Sequence, residues 1–357
     1  MINIAHAIKS RLMEKHSFRD DYSEGAHPRI LEALQRHNDG QTEGYGMDRY
    51  CMEAARLIKE KIRQIDSIVH FVSGGTQANL LVLSALLRPY ESVIAASSAH
   101  IAVHEAGSVE ATGHKINLVE TSDGKLNPMQ IDQVLKNHRD EHMVKPRVVF
   151  ISQSTESGTL YRKNELEKLS IYCKKKGLYL YMDGARLAVA LTANTNNLSL
   201  LELADLVDVF YIGGTKNGAL LGEAIVITNP YFQNNFRYIM KQKGALLAKG
   251  RLFGIQFMEM FRDGLYFELG QNANARAAEL AEGIRSAGYS FSTPPISNQI
   301  FPIFPHTLIA HLQKKFGFYI WEKAGMGHSI IRLVTSWATP ESAIRDFIKE
   351  MNDGPFK

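Results

Sequence analysis

From about residue 65 the chain alternates between short apolar runs and longer stretches whose apolar residues suit helices. The runs at 69–72, 92–96, 115–119, 147–152, 178–182, 207–212 and 224–228 are rich in β-branched and aromatic residues, and they predict strands. Helical text lies between several of them, at 77–87, 128–138 and 164–176. Strands joined through helices run in one direction, so the pattern predicts a mostly parallel sheet covered on both faces. Lys174, Lys175 and Lys176 followed by Gly177 resemble a basic patch, but cations in a last turn with Gly after them are what a helix end prefers.

Beyond about residue 245 the pattern changes. The stretch 270–288 reads as one helix carrying Ala273, Ala277, Leu280 and Ile284 on a face, and Pro-rich text, helix, strand and helix follow through Met351. At the other end, Ile4, Ile8 and Leu12 suggest a short amphipathic helix. The predicted plan is an N-terminal helix (1–17), a large α/β domain (18–245) and a smaller C-terminal α+β domain (246–357).

Composition narrows the class of function. A chain of 357 residues holds about two domains. Its 45% hydrophobic and 22% charged residues leave ample material for a core. The balance of 41 basic and 37 acidic residues, +4 in sum, gives no reason to expect nucleic acid as a partner. Two distant cysteines, Cys51 and Cys173, exclude a disulfide framework and a Cys-based zinc cluster and fit a reducing compartment. No apolar run approaches the roughly 20 residues of a membrane span, and no signal-peptide core is present, so a cytoplasmic protein without a membrane partner is expected.

Four places hold polar or Gly residues where predicted strands end, which is where open α/β sheets bind ligands. The first, Ser73-Gly74-Gly75-Thr76-Gln77-Ala78-Asn79, is a strand–turn–helix junction whose free amides and helix dipole suit a phosphate. It is neither GxGxxG nor a P-loop. The second, Asp183-Gly184-Ala185-Arg186, sets an acid and a base just past a strand, although Asp-Gly is also an ordinary turn. In the third, Gly213-Gly214-Thr215-Lys216-Asn217-Gly218, a lone Lys between two Gly-bearing turns is either a cleft lysine or an exposed loop residue. The fourth, Ala99-His100 through His104-Glu105, offers two His at i and i+4 but no third metal ligand if Glu105 lies on another face of a helix, so no metal is expected.

Their order is more specific than any one of them. Gly-Thr, then His, then Asp-Gly-Ala-Arg, then Lys thirty residues after Arg186 resembles a fold-type I enzyme dependent on pyridoxal phosphate. Within that class the chain resembles the threonine aldolase / β-eliminating lyase family over residues 18–340. Gly44-Tyr45-Gly46 and Ile331-Arg332-Leu333-Val334-Thr335 also carry the resemblance.

The resemblance implies that Lys216 forms a Schiff base with pyridoxal 5′-phosphate and that Asp183 keeps its pyridine nitrogen protonated. It implies that Arg186 sits beside the ring hydroxyl, that Gly75, Thr76 and Thr215 serve the phosphate end, and that His100 stacks on the ring. Arg332 would clamp the carboxylate of an amino-acid substrate by a bidentate pair. The expected reaction is cleavage of a β-hydroxy-α-amino acid such as L-threonine or L-allo-threonine to glycine and an aldehyde. The alternatives are β-elimination from a serine- or cysteine-type amino acid and a non-catalytic binding module. The resemblance further implies a homodimer or homotetramer with shared active sites, to which Tyr45, Lys243 and Lys249 would contribute across the interface.

The sequence departs from the family pattern at two positions. Asp20, in Phe18-Arg19-Asp20-Asp21, stands where the pattern has Ser, and would put a carboxylate near the substrate carboxylate unless it turned away. Glu156 stands where relatives have His, and would serve as a base for the substrate hydroxyl if burial raised its pKa.

Overall fold

The structure is a computed structural model that describes residues 15–353; the helix expected at 1–17 lies outside them except for its last residues, which are not helical. Instead His16–Ser17 is a two-residue strand, β1. The seven expected strands are all present: β2 (Ile68–Val72), β3 (Glu91–Ala96), β4 (Ile116–Val119), β5 (Lys145–Ser152), β6 (Tyr179–Asp183), β7 (Val209–Gly213) and β8 (Glu223–Ile227). They form one sheet in the order β2-β8-β7-β6-β5-β3-β4. Neighbouring strands are parallel except that β8 runs antiparallel to both β2 and β7. Strands β3, β7 and β8 are buried at every position, because helices cover both faces; this is why their sequences read as unbroken apolar runs. The edge strand β4 keeps partly exposed positions.

This topology decides where chemistry collects. The parallel strands end on one edge, at Val72, Ala96, Ser152, Asp183 and Gly213. Because β8 runs the other way, its first residue, Glu223, lies opposite Val72 and Gly213 on that same edge.

A second core gathers Phe18, Ala277, Leu280, Ile284, Phe304, Leu333 and Phe347. Beside it lies a sheet of β10 (Ile303–Pro305), β13 (His328–Val334) and β12 (Tyr319–Lys323), with β9 (Gln299–Ile300) also on β13. Strand β1 pairs in parallel with β11 (Phe316–Gly317). Phe18 donates its amide to the Gly317 carbonyl and accepts the Val334 amide, so residue 18 belongs to the packing of this second core. The first core runs past residue 245 to include Phe253, Phe257 and Tyr266, since the helix Arg251–Arg262 buries its apolar face there.

The helix expected at 270–288 begins earlier, spanning Leu265–Ser286. Gly270 is interior to it rather than its start. A Cβ there would lie 2.7 Å from the backbone carbonyl of Ala188, so the glycine permits close contact with the helix Leu187–Thr192. No helix among the described residues is long and apolar enough to cross a membrane.

Candidate active site

Two adjoining cavities open at the strand-end edge. The inner one, about 310 Å³, is lined by Ser73, Gly74, Gly75, Thr76, Asp183, Thr215, Lys216 and Glu223, among others. The outer one, about 490 Å³, is lined by residues of both cores, including Asp20, Tyr22, Gln299, Tyr319, Trp321 and Arg332. His100, His104, Glu156, Arg186 and Lys216 border both.

At the inner end, β2 leads through Ser73 and Gly74 into the helix Gly75–Leu86, whose first residues have no side-chain cap. That leaves amides of the first turn for an anion. Gly75 is required by packing, since a Cβ would meet the Tyr211 hydroxyl at 2.8 Å. Asp183 accepts the Ala185 amide on Oδ1 (3.0 Å) and the Asn79 side-chain amide on Oδ2 (3.2 Å). Tyr181 in turn donates to Asn79 Oδ1 (2.7 Å). Lys216 is half-buried and makes no hydrogen bond or ion pair with a described residue, its ammonium position lying 5.8 Å from the Tyr22 ring centre. Burial first, then the Arg186 charge, lowers its pKa, while Asp21, Asp183 and Glu223 act the other way. An amine held toward its neutral form is the form that attacks a carbonyl.

The wall between the cavities is a set of bonded charges. Arg186 makes a two-pronged pair with Asp21 (2.7 and 3.0 Å), and Asn298 donates to Asp21 Oδ2 (2.9 Å). Burial works to raise the Asp21 pKa, but Arg186 and Lys216 outweigh it and the net shift is downward. Glu156 accepts the His100 backbone amide (3.0 Å) and the Ser152 hydroxyl (2.9 Å) on the same oxygen. Burial, then Asp183, raises its pKa.

Glu105 corrects an expectation. It does not point away: its Oε1 lies 2.8 Å from His100 Nδ1 and accepts from Asn79 (2.7 Å), while Oε2 accepts from Ser108 (2.6 Å). The helix that starts at His100 ends at Val103, and the left-handed backbone at Ala106 (φ 50°) turns the chain back, so helical spacing no longer applies at 105. Glu105 therefore orients His100 and, through Asn79, is linked to Asp183. No group of three or more His, Cys, Asp or Glu suited to a metal occurs among the described residues.

At the outer end, alternation along β13 puts Ile331 and Leu333 in the core and Arg332 on the opposite face. Arg332 stands between Tyr319 and Trp321, 5.3 and 5.0 Å from their ring centres. It donates to the Arg19 carbonyl (3.0 Å) and lies 3.5 Å from Asp20, while its buried Nε–H has no partner. Asp20 has thus not turned away, and it faces the same guanidinium that a substrate carboxylate would use.

Tyr45, Lys243 and Lys249 line neither cavity. The Tyr45 amide bonds the Ala248 carbonyl (3.2 Å) and Lys241 lies over the Tyr45 ring (4.6 Å), so the 44–46 loop and the 241–249 stretch meet each other away from the site. Sequence reasoning missed Asp21, Asn79, Glu105, His104 and Glu223 as site residues. No local signal marked Asp21, whose partner Arg186 lies 165 residues away; for Glu223, on an apolar strand, only its position one residue after Gly222 marked it.

The chain is similar to known proteins over most of its length. A family model described as "Beta-eliminating lyase" matches residues 18–304. The low specificity L-threonine aldolase of Pseudomonas aeruginosa is 34% identical over 93% of this chain and 95% of its own length. A solved threonine aldolase of Leishmania major superposes with a TM-score of 0.93 at 48% identity, over 94% of this chain and 98% of that one. An aspartate aminotransferase of Thermus thermophilus shares the fold alone, with a TM-score of 0.70 at 16% identity over 97% of this chain and 93% of that one. With the family model covering most of its length and these relatives nearly all of it, the chain belongs to the β-eliminating lyase family.

Proposed function

We propose that the protein is a pyridoxal-phosphate-dependent aldolase that cleaves a β-hydroxy-α-amino acid of the L-threonine or L-allo-threonine type to glycine and an aldehyde. The observation that carries this reading is the convergence of Lys216, Asp183 and Arg332, from two cores, on one pair of connected cavities. The named relatives point the same way.

The residues present fit the cofactor: an uncapped helix start for its phosphate, an amine without an ion pair to any described residue for its aldehyde, and the buried acid Asp183 for its nitrogen. When bound, pyridoxal phosphate supplies a carbonyl for an amine and a ring that accepts an electron pair from a bond at the substrate Cα. Gly75 and Thr76 would hold its phosphate, Asp183 would hold a proton at its pyridine nitrogen, and His100, which Glu105 orients, would lie against it. Arg186, which Asp21 positions, would serve its hydroxyl.

Arg332 binds the substrate carboxylate, using the unpartnered Nε–H together with an Nη–H, and Asp20 must yield that face. Fixing the carboxylate would fix the orientation of the substrate Cα and so which of its bonds is set to break. Glu156, whose hold on a proton is strengthened by burial, takes the proton from the β-hydroxyl as the Cα–Cβ bond opens. The partly apolar outer wall of Tyr319, Ile320 and Trp321 receives the aldehyde side.

The working form is a homo-oligomer, dimer or tetramer, in the cytoplasm, in which Tyr45, Lys243 and Lys249 reach the neighbouring subunit's site. Support for this comes from their common location outside their own chain's cavities. Cofactor-loaded protein offered threonine, allo-threonine, phenylserine, serine and cysteine tests the reaction. Glycine plus aldehyde is expected from the first three; keto acid plus ammonia as the main product would replace the aldolase reading by β-elimination.

A further inference from the structure

Glu223 is the one buried acid of the inner cavity that the reaction above leaves without a task. It is 4% exposed and lines the cavity beside Thr215 and Lys216. Strand register sets it directly between two turns: it pairs with Val72, which precedes the 73–76 turn, and with Gly213, which begins the 213–216 turn. Its Oε2 accepts the Gly214 amide at 2.8 Å, and the Thr215 side chain bonds it as well. Thr215 Oγ1 also accepts the Gly222 amide (3.0 Å).

The contrast with the other buried acids is chemical. Asp21 is matched by Arg186 and Glu105 by His100, whereas Glu223 forms no ion pair with a described residue. A charged carboxylate buried without a cation is costly, and it is costlier when a phosphate dianion occupies the adjacent turn. A neutral carboxyl keeps both bonds it needs: its carbonyl oxygen still accepts from Gly214, and its O–H becomes a donor in a cavity that must hold an anion.

We propose that Glu223 is a positioning residue that works as a neutral carboxylic acid, holding the 213–216 turn and carrying a proton whenever a phosphate monoester occupies the 73–76 turn. The inference rests on the cofactor assignment above and adds to it a limit on cofactor retention set by pH. The groups that face Glu223 support it. Asp183 and Tyr181 on β6, Tyr211 on β7 and Tyr266 on the 265–286 helix add no positive charge, and Lys216 alone does. On β2, His70 stacks on Phe236 and is kept neutral by burial, its pKa lowered to about 4. The 251–262 helix offers Phe253 and Phe257 to the neighbouring Gly222 and Gly214. Burial is the largest influence on Glu223 and raises its pKa to about 7.

The sign follows. Cofactor affinity should be full where Glu223 is protonated and fall as pH rises through that value, by roughly tenfold one pH unit above it. The test is equilibrium titration of cofactor-free protein, wild type and Glu223→Gln, with pyridoxal 5′-phosphate and with pyridoxal, from pH 6 to 9. Titration of the ligand is common to both proteins and cancels in their ratio, while any effect of Glu223 on Lys216 acts at the aldehyde end and shows equally with pyridoxal. Equal affinities for pyridoxal 5′-phosphate are expected at pH 6, with wild type about tenfold weaker than Glu223→Gln at pH 8 and no such divergence with pyridoxal. A ratio that does not change with pH overturns the proposal, and so does the same divergence with pyridoxal, which lacks the phosphate. Absence of binding by either protein at every pH overturns the cofactor assignment itself. If the Gln variant does not fold, Glu223→Met, similar in volume and without a titrating group, is titrated in its place under the same two criteria.

Discussion

The inner and outer ends of the cavity are built on opposite principles. The inner end rests on the rims of the central strands, where Asp183, Glu105 and Asn79 form a closed set of hydrogen bonds among buried atoms. The outer end is assembled from the second core, with Arg332 between half-exposed aromatics, one N–H unpartnered and an acid 3.5 Å away. A rigid inner frame suits a group that stays; an incompletely satisfied outer one suits a molecule that enters and leaves.

Substitutions can break this contrast. The largest effect is expected from Lys216→Ala, which should lower turnover by at least about 10³-fold and abolish borohydride trapping of the cofactor on the protein. Measurable trapping in the variant would move the nucleophile elsewhere. Next is Arg332→Ala, which removes a charge-assisted double contact made only with substrate. It should reduce kcat/KM about 10- to 100-fold with cofactor affinity unchanged, and a parallel loss of cofactor would erase the distinction between the two ends.

Asp21→Asn tests whether the wall between them is structural. It leaves Arg186 buried without its partner and should cost about 3 kcal/mol of stability at neutral pH. Asp21's folded pKa lies below its ordinary 3.8, so its contribution is complete above that value and is lost as pH falls through the lowered one. The difference between wild type and variant in thermal unfolding should therefore hold constant from pH 7 to 5 and close in strong acid. The smallest effect is expected from Trp321→Ala, which should raise KM a few-fold for substrates with bulky side chains and less for threonine.

The inner end was the more legible in the sequence. Strand-end positions of Gly75, Asp183 and Lys216 follow from local pattern, since each sits one to four residues past an apolar run. Pairings across the chain were not legible. Asp21 and Arg186 are 165 residues apart, and nothing local shows that residue 18 packs with residues 277–351. Glu105 was misjudged for a local reason, a four-residue helix read as a longer one. Glu223 hid because a strand buried on both faces allows no expectation of a charge, and only the antiparallel course of β8 brings its first residue to the rim.

The threading of Phe18 into the second core has a consequence for biosynthesis. Its backbone is bonded on one side to Gly317 and on the other to Val334, so the first described strand finds its place only after more than 300 further residues have been made. Asp20 and Asp21 follow immediately. A nascent chain can pack its central sheet while still on the ribosome, yet Asp21 is set against Arg186, and Arg19 and Asp20 against Arg332, only once residues 317–334 have been made. The molecule is thus built so that a copy made only as far as its central sheet holds the scaffold of the site without a finished site, and the site is complete only after residue 334 has been added.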